Sequence, residues 1–209
     1  MPNPKPLKDA PPHERAADRI RRSARELFYS EGIRAIGVDE IVNRAGVTKP
    51  SLYRTFPSKD ALAAAYLEDY DRMFWTRFDE GAAKYPDDPR AQLRHYFAGL
   101  LQRATQAGYR GCGLTNAAVE YPQADHPARK VAEANKRALR KRLRTIAASL
   151  GADDPNLLGD GLLLLLEGVY ASGQLFGKDG PARALVDVAD RLIDASIPAA
   201  KKRAKKAPI

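Results

Sequence analysis

Six side chains within residues 48–59, Thr48, Lys49, Ser51, Tyr53, Arg54 and Lys59, can all donate hydrogen bonds. That set suits recognition of phosphates and base edges better than bond-breaking chemistry. A tyrosine hydroxyl on an exposed face gives one directed bond, so Tyr53 reads as a phosphate contact, with Lys59 reaching the same backbone. Thr48, Lys49, Ser51 and Arg54 divide between phosphates and bases. Lysine or arginine addresses guanine O6 and N7, and serine or threonine discriminates less. The competing reading of the same residues is a solvated surface with some packing by the ring.

Two short helices have to position these donors. The spacing predicts one over Asp39–Ala45 and a second over Thr48–Phe56, joined by Ala45-Gly46-Val47. Gly46 supplies the positive φ that such a corner needs, and Ile41, Val47, Leu52 and Phe56 lock the pair together. Leu52 and Phe56 therefore read as core and not as base wedges. Thr48 is an N-cap candidate, and Pro50 fits the first turn, where its missing N–H costs little. This is a helix-turn-helix. A helix over Arg15–Ser30 precedes it, with Ala16, Ile20, Ala24, Leu27 and Phe28 on one face and Glu31-Gly32 as a stop. Pro57-Ser58 opens a long helix running to about Glu80.

Further along, Pro86-Asp87-Asp88-Pro89 breaks the chain before a helix to about Thr105. The run Gly108–Gly113 tightens it before a short helix ending near Glu120. Longer helices follow over 127–150, 156–176 and 181–197. No alternating strand pattern and no internal repeat compete, so the fold class is all-α with about nine helices. Residues 1–12 read as a proline-rich flexible arm, 13–60 as the helix-turn-helix DNA-binding domain, 61–198 as a larger helical body, and 199–209 as a basic disordered tail.

The formal charge of +9 is uneven. Residues 1–60 carry twelve Lys/Arg against eight Asp/Glu, residues 61–200 balance at eighteen each, and 201–206 add five positive charges. Phosphate neutralisation makes nucleic acid the natural partner of such a head. The tail adds either salt-sensitive attraction to DNA or only solubility. No run of 18 apolar residues occurs, which excludes a membrane helix, and the proline-rich start lacks a signal region, so the expected location is cytoplasmic. One cysteine and three scattered histidines give no disulfide framework and no metal site. No cofactor is expected. An enzyme is not expected either: there is no P-loop or Gly-x-Gly-x-x-Gly, and no nucleophile stands beside His95 or His126. A helical interaction protein without DNA binding is the alternative, but it does not require the donors around the Gly46 turn.

Leu27-Phe28, Gly32, Ile41, Ala45-Gly46-Val47, Leu52-Tyr53, Phe56-Pro57-Ser58-Lys59 and Leu62 resemble the signature of the TetR family of bacterial transcriptional regulators. The resemblance is dense over residues 16–64. Gly111-Cys112, Asn116-Ala117-Ala118 and Glu120 look like a subgroup of that family. The resemblance implies a homodimer, usually a repressor, that leaves double-stranded operator DNA when a small molecule binds its C-terminal domain. It also implies that the last two helices of each subunit form a four-helix dimer interface. Gly37 departs from the pattern, since the family usually caps this helix with threonine, and the hydroxyl contact to phosphate is lost. Arg15, Arg19 and Arg22 either reach the DNA backbone or minor groove, as the family implies, or form a solvated helix face.

In the body, the run Leu157 to Val169 is apolar on more than one side of its helix, so Leu162, Leu166 and Val169 are expected at the dimer interface, with Leu185, Val188 and Leu192 as a second stripe. Tyr66, Tyr70, Phe74 and Phe97, completed by Asn116, Tyr170 and Gln174, line a cavity for an apolar or aromatic effector, or else are plain core. Arg77 either pairs with an acidic ligand or points outside. Cys112 has two readings: a small side chain buried at a close turn, or a redox or electrophile sensor whose thiol is activated by a helix start and Arg110.

Overall fold

Ile20, Ala24, Leu27 and Phe28 lie on one face of α1 (Ala16–Glu31), and all four are buried in the computed structural model, which describes residues 14–198. The expected arm at 1–12 and tail at 199–209 lie outside the described residues. Gly32 ends α1 at φ 95°, with its N–H on the Phe28 carbonyl. Then come α2 (Val38–Ala45), α3 (Lys49–Thr55), α4 (Lys59–Lys84), α5 (Pro89–Ala104), α6 (Gly113–Glu120), α7 (Pro127–Ser149), α8 (Pro155–Phe176) and α9 (Leu185–Ser196). The described residues form nine α-helices and no strand, so the fold is all-α. None of these helices is long and apolar enough to cross a membrane.

Two aspartates cap helices at the breaks between them. Asp88 caps α5 by accepting from the Arg90 and Ala91 N–H groups at 3.1 and 3.0 Å, and Asp154 caps α8 through Asn156 and Leu157 at 2.9 and 3.0 Å. Each cap precedes a proline in the first turn and contributes about 1 kcal/mol. Two boundaries differ: α4 runs on to Lys84, past its expected end near Glu80. The expected last helix from Pro181 starts only at Leu185, because Gly177–Asp179 and Pro181–Ala184 wind as 3-10 turns.

The chain folds as two compact units. The first joins residues 14–72 with 113–133. Its core centres on Ile20, Leu27, Ile33, Ile36, Ile41, Leu52 and Leu62. At its edge Tyr66 meets the Phe28 ring at 5.7 Å, and Tyr70 stacks on Tyr29 at 6.3 Å. Gly113 allows α6 to start against those tyrosines, since a Cβ there would stand 2.7 Å from the Tyr66 hydroxyl.

The second unit joins Met73–Cys112 with 134–198. Phe74 and Phe78 of α4 interlock with Tyr96 of α5 at centroid distances of 5.9 and 4.8 Å. Arg94 of α5 bonds Asp190 of α9 at 2.8 Å. Gly159 lets α8 cross α7 closely: an added Cβ would lie 2.6–2.8 Å from Arg144 Cγ, Cα and N. Next to it the Asp160 carboxylate accepts forks from Arg140 and Arg144 at 2.6–2.8 Å, and those hydrogen bonds hold its carboxyl well below the usual carboxylate range.

The expected dimer stripes divide between the chain's inside and its surface. Leu162, Leu166, Val169 and Leu185 are buried in the chain's own core. The apolar side chains left on the outside are Leu157, Leu164, Leu175, Phe176 and Val188, with Leu192 half-buried. A helix apolar all round satisfies its inner face first, and only the remainder is available to a partner.

Candidate nucleic-acid interface

Gly46 adopts the left-handed conformation, φ 62° and ψ 41°, and closes α2 with its N–H on the Asn43 carbonyl. The Val47 N–H returns to Val42 O at 3.0 Å. Thr48 then caps α3: its Oγ1 accepts from the Ser51 N–H at 3.4 Å. Leu52 and Phe56 are buried, as their spacing predicts, which turns the opposite face of α3 outward. Thr48, Lys49, Tyr53 and Arg54 are exposed on it and Ser51 is half-buried. Tyr53 keeps 47% of its surface accessible.

The donors are not all idle. Lys49 Nζ lies 2.7 Å from Asp39 Oδ1 of α2, and that hydrogen bond raises the lysine pKa. Arg54 Nη2 donates to Ser51 Oγ at 3.4 Å. Lys59, in the first turn of α4, donates to the Arg34 carbonyl at 3.4 Å, and partial burial lowers its pKa. A half-desolvated ammonium bonded to a neutral carbonyl gains from an anion placed beside it.

Arg19 and Arg22 turn out to be tied within the chain. Arg19 donates Nε to Ala45 O at 3.0 Å and Nη2 to Gly46 O at 3.4 Å, so it caps the C-terminus of α2 and braces the turn. Arg22 pairs with Glu14 at 2.9 Å. Arg15 is exposed. Gly37 caps α2 without a side-chain bond, at φ −84° and ψ 158°.

Sequence reasoning missed the web that fastens the base of this head. The Arg34 N–H donates to Glu120 Oε2 at 2.8 Å, and His126 Nε2 lies 3.4 Å from Asp60 Oδ1 while its ring stacks on Tyr121 at 3.8 Å. Arg34 and Glu120, and Asp60 and His126, are far apart in the chain, and no local pattern marks them.

The expected effector residues fall in both units. Tyr66, Tyr70 and Asn116 belong to the first unit, and Phe74, Phe97, Tyr170 and Gln174 to the second. Tyr66, Phe74, Phe97 and Tyr170 are buried, Tyr70 and Asn116 half-buried, and Gln174 exposed with its amide on the Tyr170 carbonyl at 3.1 Å. The Tyr170 and Tyr96 hydroxyls bond at 3.1 Å. Cys112 is buried, and the cation against its sulfur is Lys136 at 3.5 Å, itself paired with Glu167 at 2.8 Å. Burial fits the packed reading of this thiol, whereas a cation beside the sulfur, Lys136 in place of the expected Arg110, fits the sensor reading. Among the described residues no group of three or more His, Cys, Asp or Glu side chains is placed to hold a metal ion.

The family model for bacterial regulatory proteins of the tetR family matches residues 20–66, which hold the Gly46 turn and the donors Thr48, Lys49, Ser51, Tyr53, Arg54 and Lys59. FasR, a helix-turn-helix transcriptional activator from Mycolicibacterium smegmatis, is 42% identical over 57 residues, 27% of this chain and 26% of FasR. The chain aligns with between 26% and 49% of the length of the curated relatives it matches. Solved structures extend the likeness. A TetR-family transcriptional regulator from Streptomyces coelicolor shares 28% identity at a TM-score of 0.83, covering 88% of this chain and 96% of its own. A TetR-type regulator from Streptomyces avermitilis shares 31% identity at a TM-score of 0.75, covering 88% of this chain and 98% of its own. With head, helix order and nearly the whole length in agreement, the chain belongs to the TetR family of bacterial transcriptional regulators.

Proposed function

We propose that the protein is a dimeric DNA-binding repressor that leaves a pseudo-palindromic operator when a small molecule occupies its body. The observation that carries this reading is the outward face of α3, where Lys49, Ser51, Tyr53 and Arg54 stand together opposite the buried Leu52 and Phe56. Residues 13–60 read DNA, with Thr48 and Lys59 at the edges of the contact surface, and residues 61–198 bind effector and partner. The exposed strip Leu157, Leu164, Leu175, Phe176 and Val188 supports self-association through α8 and α9. A two-fold dimer carries two reading helices, and a pseudo-palindromic site with half-sites about 34 Å apart, one on each successive major-groove face, suits such a pair. Tyr170 and Phe97 remain candidates for the inner wall of an effector site.

Selection of bound genomic fragments, followed by anisotropy titrations over a range of salt, tests DNA binding. The expected outcome is a two-fold site and affinity that falls steeply with salt. Equal affinity for random duplexes, or binding as one subunit per site, overturns the reading. Expression from the adjoining promoter should rise when the protein is deleted; a fall would make it an activator, the role that FasR carries in its name.

The Lys49–Asp39 pair gives a second expectation. Asp39→Asn frees Lys49 and removes a negative charge from the DNA side, so affinity should rise about threefold, in line with the worth of an exposed ion pair. Weaker binding by this variant would show that Asp39 positions Lys49 productively instead of competing for it.

A further inference from the structure

Between α4 and α5 the second unit opens a cleft of about 360 Å³, lined among others by Arg77, Glu80, His95, Tyr96, Gln102 and Arg103. We propose that this cleft binds the carboxylate of a small organic anion, gripped by Arg77 and Arg103. The assignment rests on reading the chain as an effector-responsive regulator, and it names the chemical class of the effector.

The two arginines stand apart from their neighbours. Arg90, Arg94, Arg140, Arg142 and Arg144 of the same unit each face a carboxylate. Arg77 and Arg103 are half-buried, and among the described residues neither forms an ion pair. A guanidinium drawn partly out of water keeps its full charge, and its planar fork matches a carboxylate. The one carboxylate in the cleft, Glu80, stands 3.9 Å from His95 Nε2 and within ion-pair distance of neither arginine. Gly99 makes room on α5, because Arg103 Nη1 lies 3.3 Å from where a Cβ would be.

The floor is suited to an anion with an apolar body. Arg103 lies over the Tyr96 ring at 5.9 Å, and that ring is buried. Burial raises the Tyr96 phenol far above its ordinary pKa, so it stays a neutral hydroxyl and does not itself supply the negative charge. Its partner Tyr170 carries Lys136 over its own ring at 5.0 Å, and Lys136 reaches Glu167 of α8. The cleft thereby connects through two hydroxyls to α8.

The test titrates the intact protein, without DNA, with acetate, benzoate, phenylacetate, succinate and phthalate and with the corresponding amides. Calorimetry and the fluorescence of Trp75, the sole tryptophan, report binding. At least one carboxylate should bind tenfold or more tightly than its amide, the discrimination expected of charge-assisted hydrogen bonds, roughly. Arg77→Gln and Arg103→Gln should each remove that preference, while the lysine variants retain part of it. Unfolding temperatures of all four variants separate lost binding from lost structure. No carboxylate exceeding its amide on the wild-type protein, or a preference unchanged in both glutamine variants, overturns the proposal. Operator titrations run in parallel keep the two readings apart: absent anion preference with intact DNA binding defeats this inference alone, and the opposite result defeats the regulator reading alone.

Discussion

Tyr53→Phe combined with Lys59→Ala should lower affinity for every bound DNA fragment by about a hundredfold, about tenfold for each phosphate contact, with the ranking of fragments unchanged. Tyr53 is exposed on α3, and Lys59 waits in the next turn, where among the described residues its ammonium donates to a carbonyl. Phosphates are common to all sites, so their loss is uniform. The slope of log affinity against log salt should become shallower by about one for Lys59→Ala. A pH effect accompanies it. Burial lowers the Lys59 pKa in the free protein, and a phosphate would raise it, so binding takes up a proton once the pH exceeds the lowered value. Affinity should therefore fall as the pH rises through that alkaline window, and this part of the fall should disappear in Lys59→Ala. Replacing Lys49 or Ser51 should instead re-rank single-base operator variants. A large change in ranking with unchanged mean affinity for Lys59→Ala would assign it to a base.

Gly159→Val should destabilise the protein by about 3 kcal/mol, the upper part of the usual range for overpacking. The Cβ alone would lie 2.6–2.8 Å from Arg144, and two of the three nearest atoms are backbone that a rotamer change cannot move. α7 and α8 would have to separate, straining the Asp160 forks to Arg140 and Arg144. Valine's better helix propensity returns less than 1 kcal/mol, roughly. Thermal unfolding followed by circular dichroism should show a midpoint lowered by about 6–12 °C for a chain of this length. An unchanged or higher midpoint would mean that the two helices can move apart without cost.

Local chemistry explains what the sequence made legible. Gly46, Thr48, Pro50, Ser58, Asp88 and Asp154 act within a turn of their own positions, and the helices they bound were readable to within a few residues. The buried face of α3 followed from its period. Orientation was harder to read. In α8 the leucines run unbroken, so periodicity could not say that Leu162 and Leu166 face inward while Leu164 faces out. The 3-10 turns before α9 also escaped, because Pro181 begins either kind of turn equally well. At the interface the donor set was visible, but the Asp39 partner of Lys49 and the bracing role of Arg19 were not. Those contacts join different helices, and only their packing sets the distance.

The fastening of Arg34 to Glu120 and of Asp60 to His126 bears on how reading heads move between genes. A single recombination crossover after residue 72 would carry α1–α3 and the start of α4 into a new gene, but leave behind the corner of α6 and α7 on which they rest. The imported head would then meet a foreign residue at position 120, with its Arg34 N–H no longer assured of a carboxylate. A transferable specificity cassette in this lineage is therefore discontinuous, 14–72 together with 113–133, and needs three crossovers to move intact. Head exchange by one cut favours parents that already share an acidic side chain at 120 and a histidine at 126.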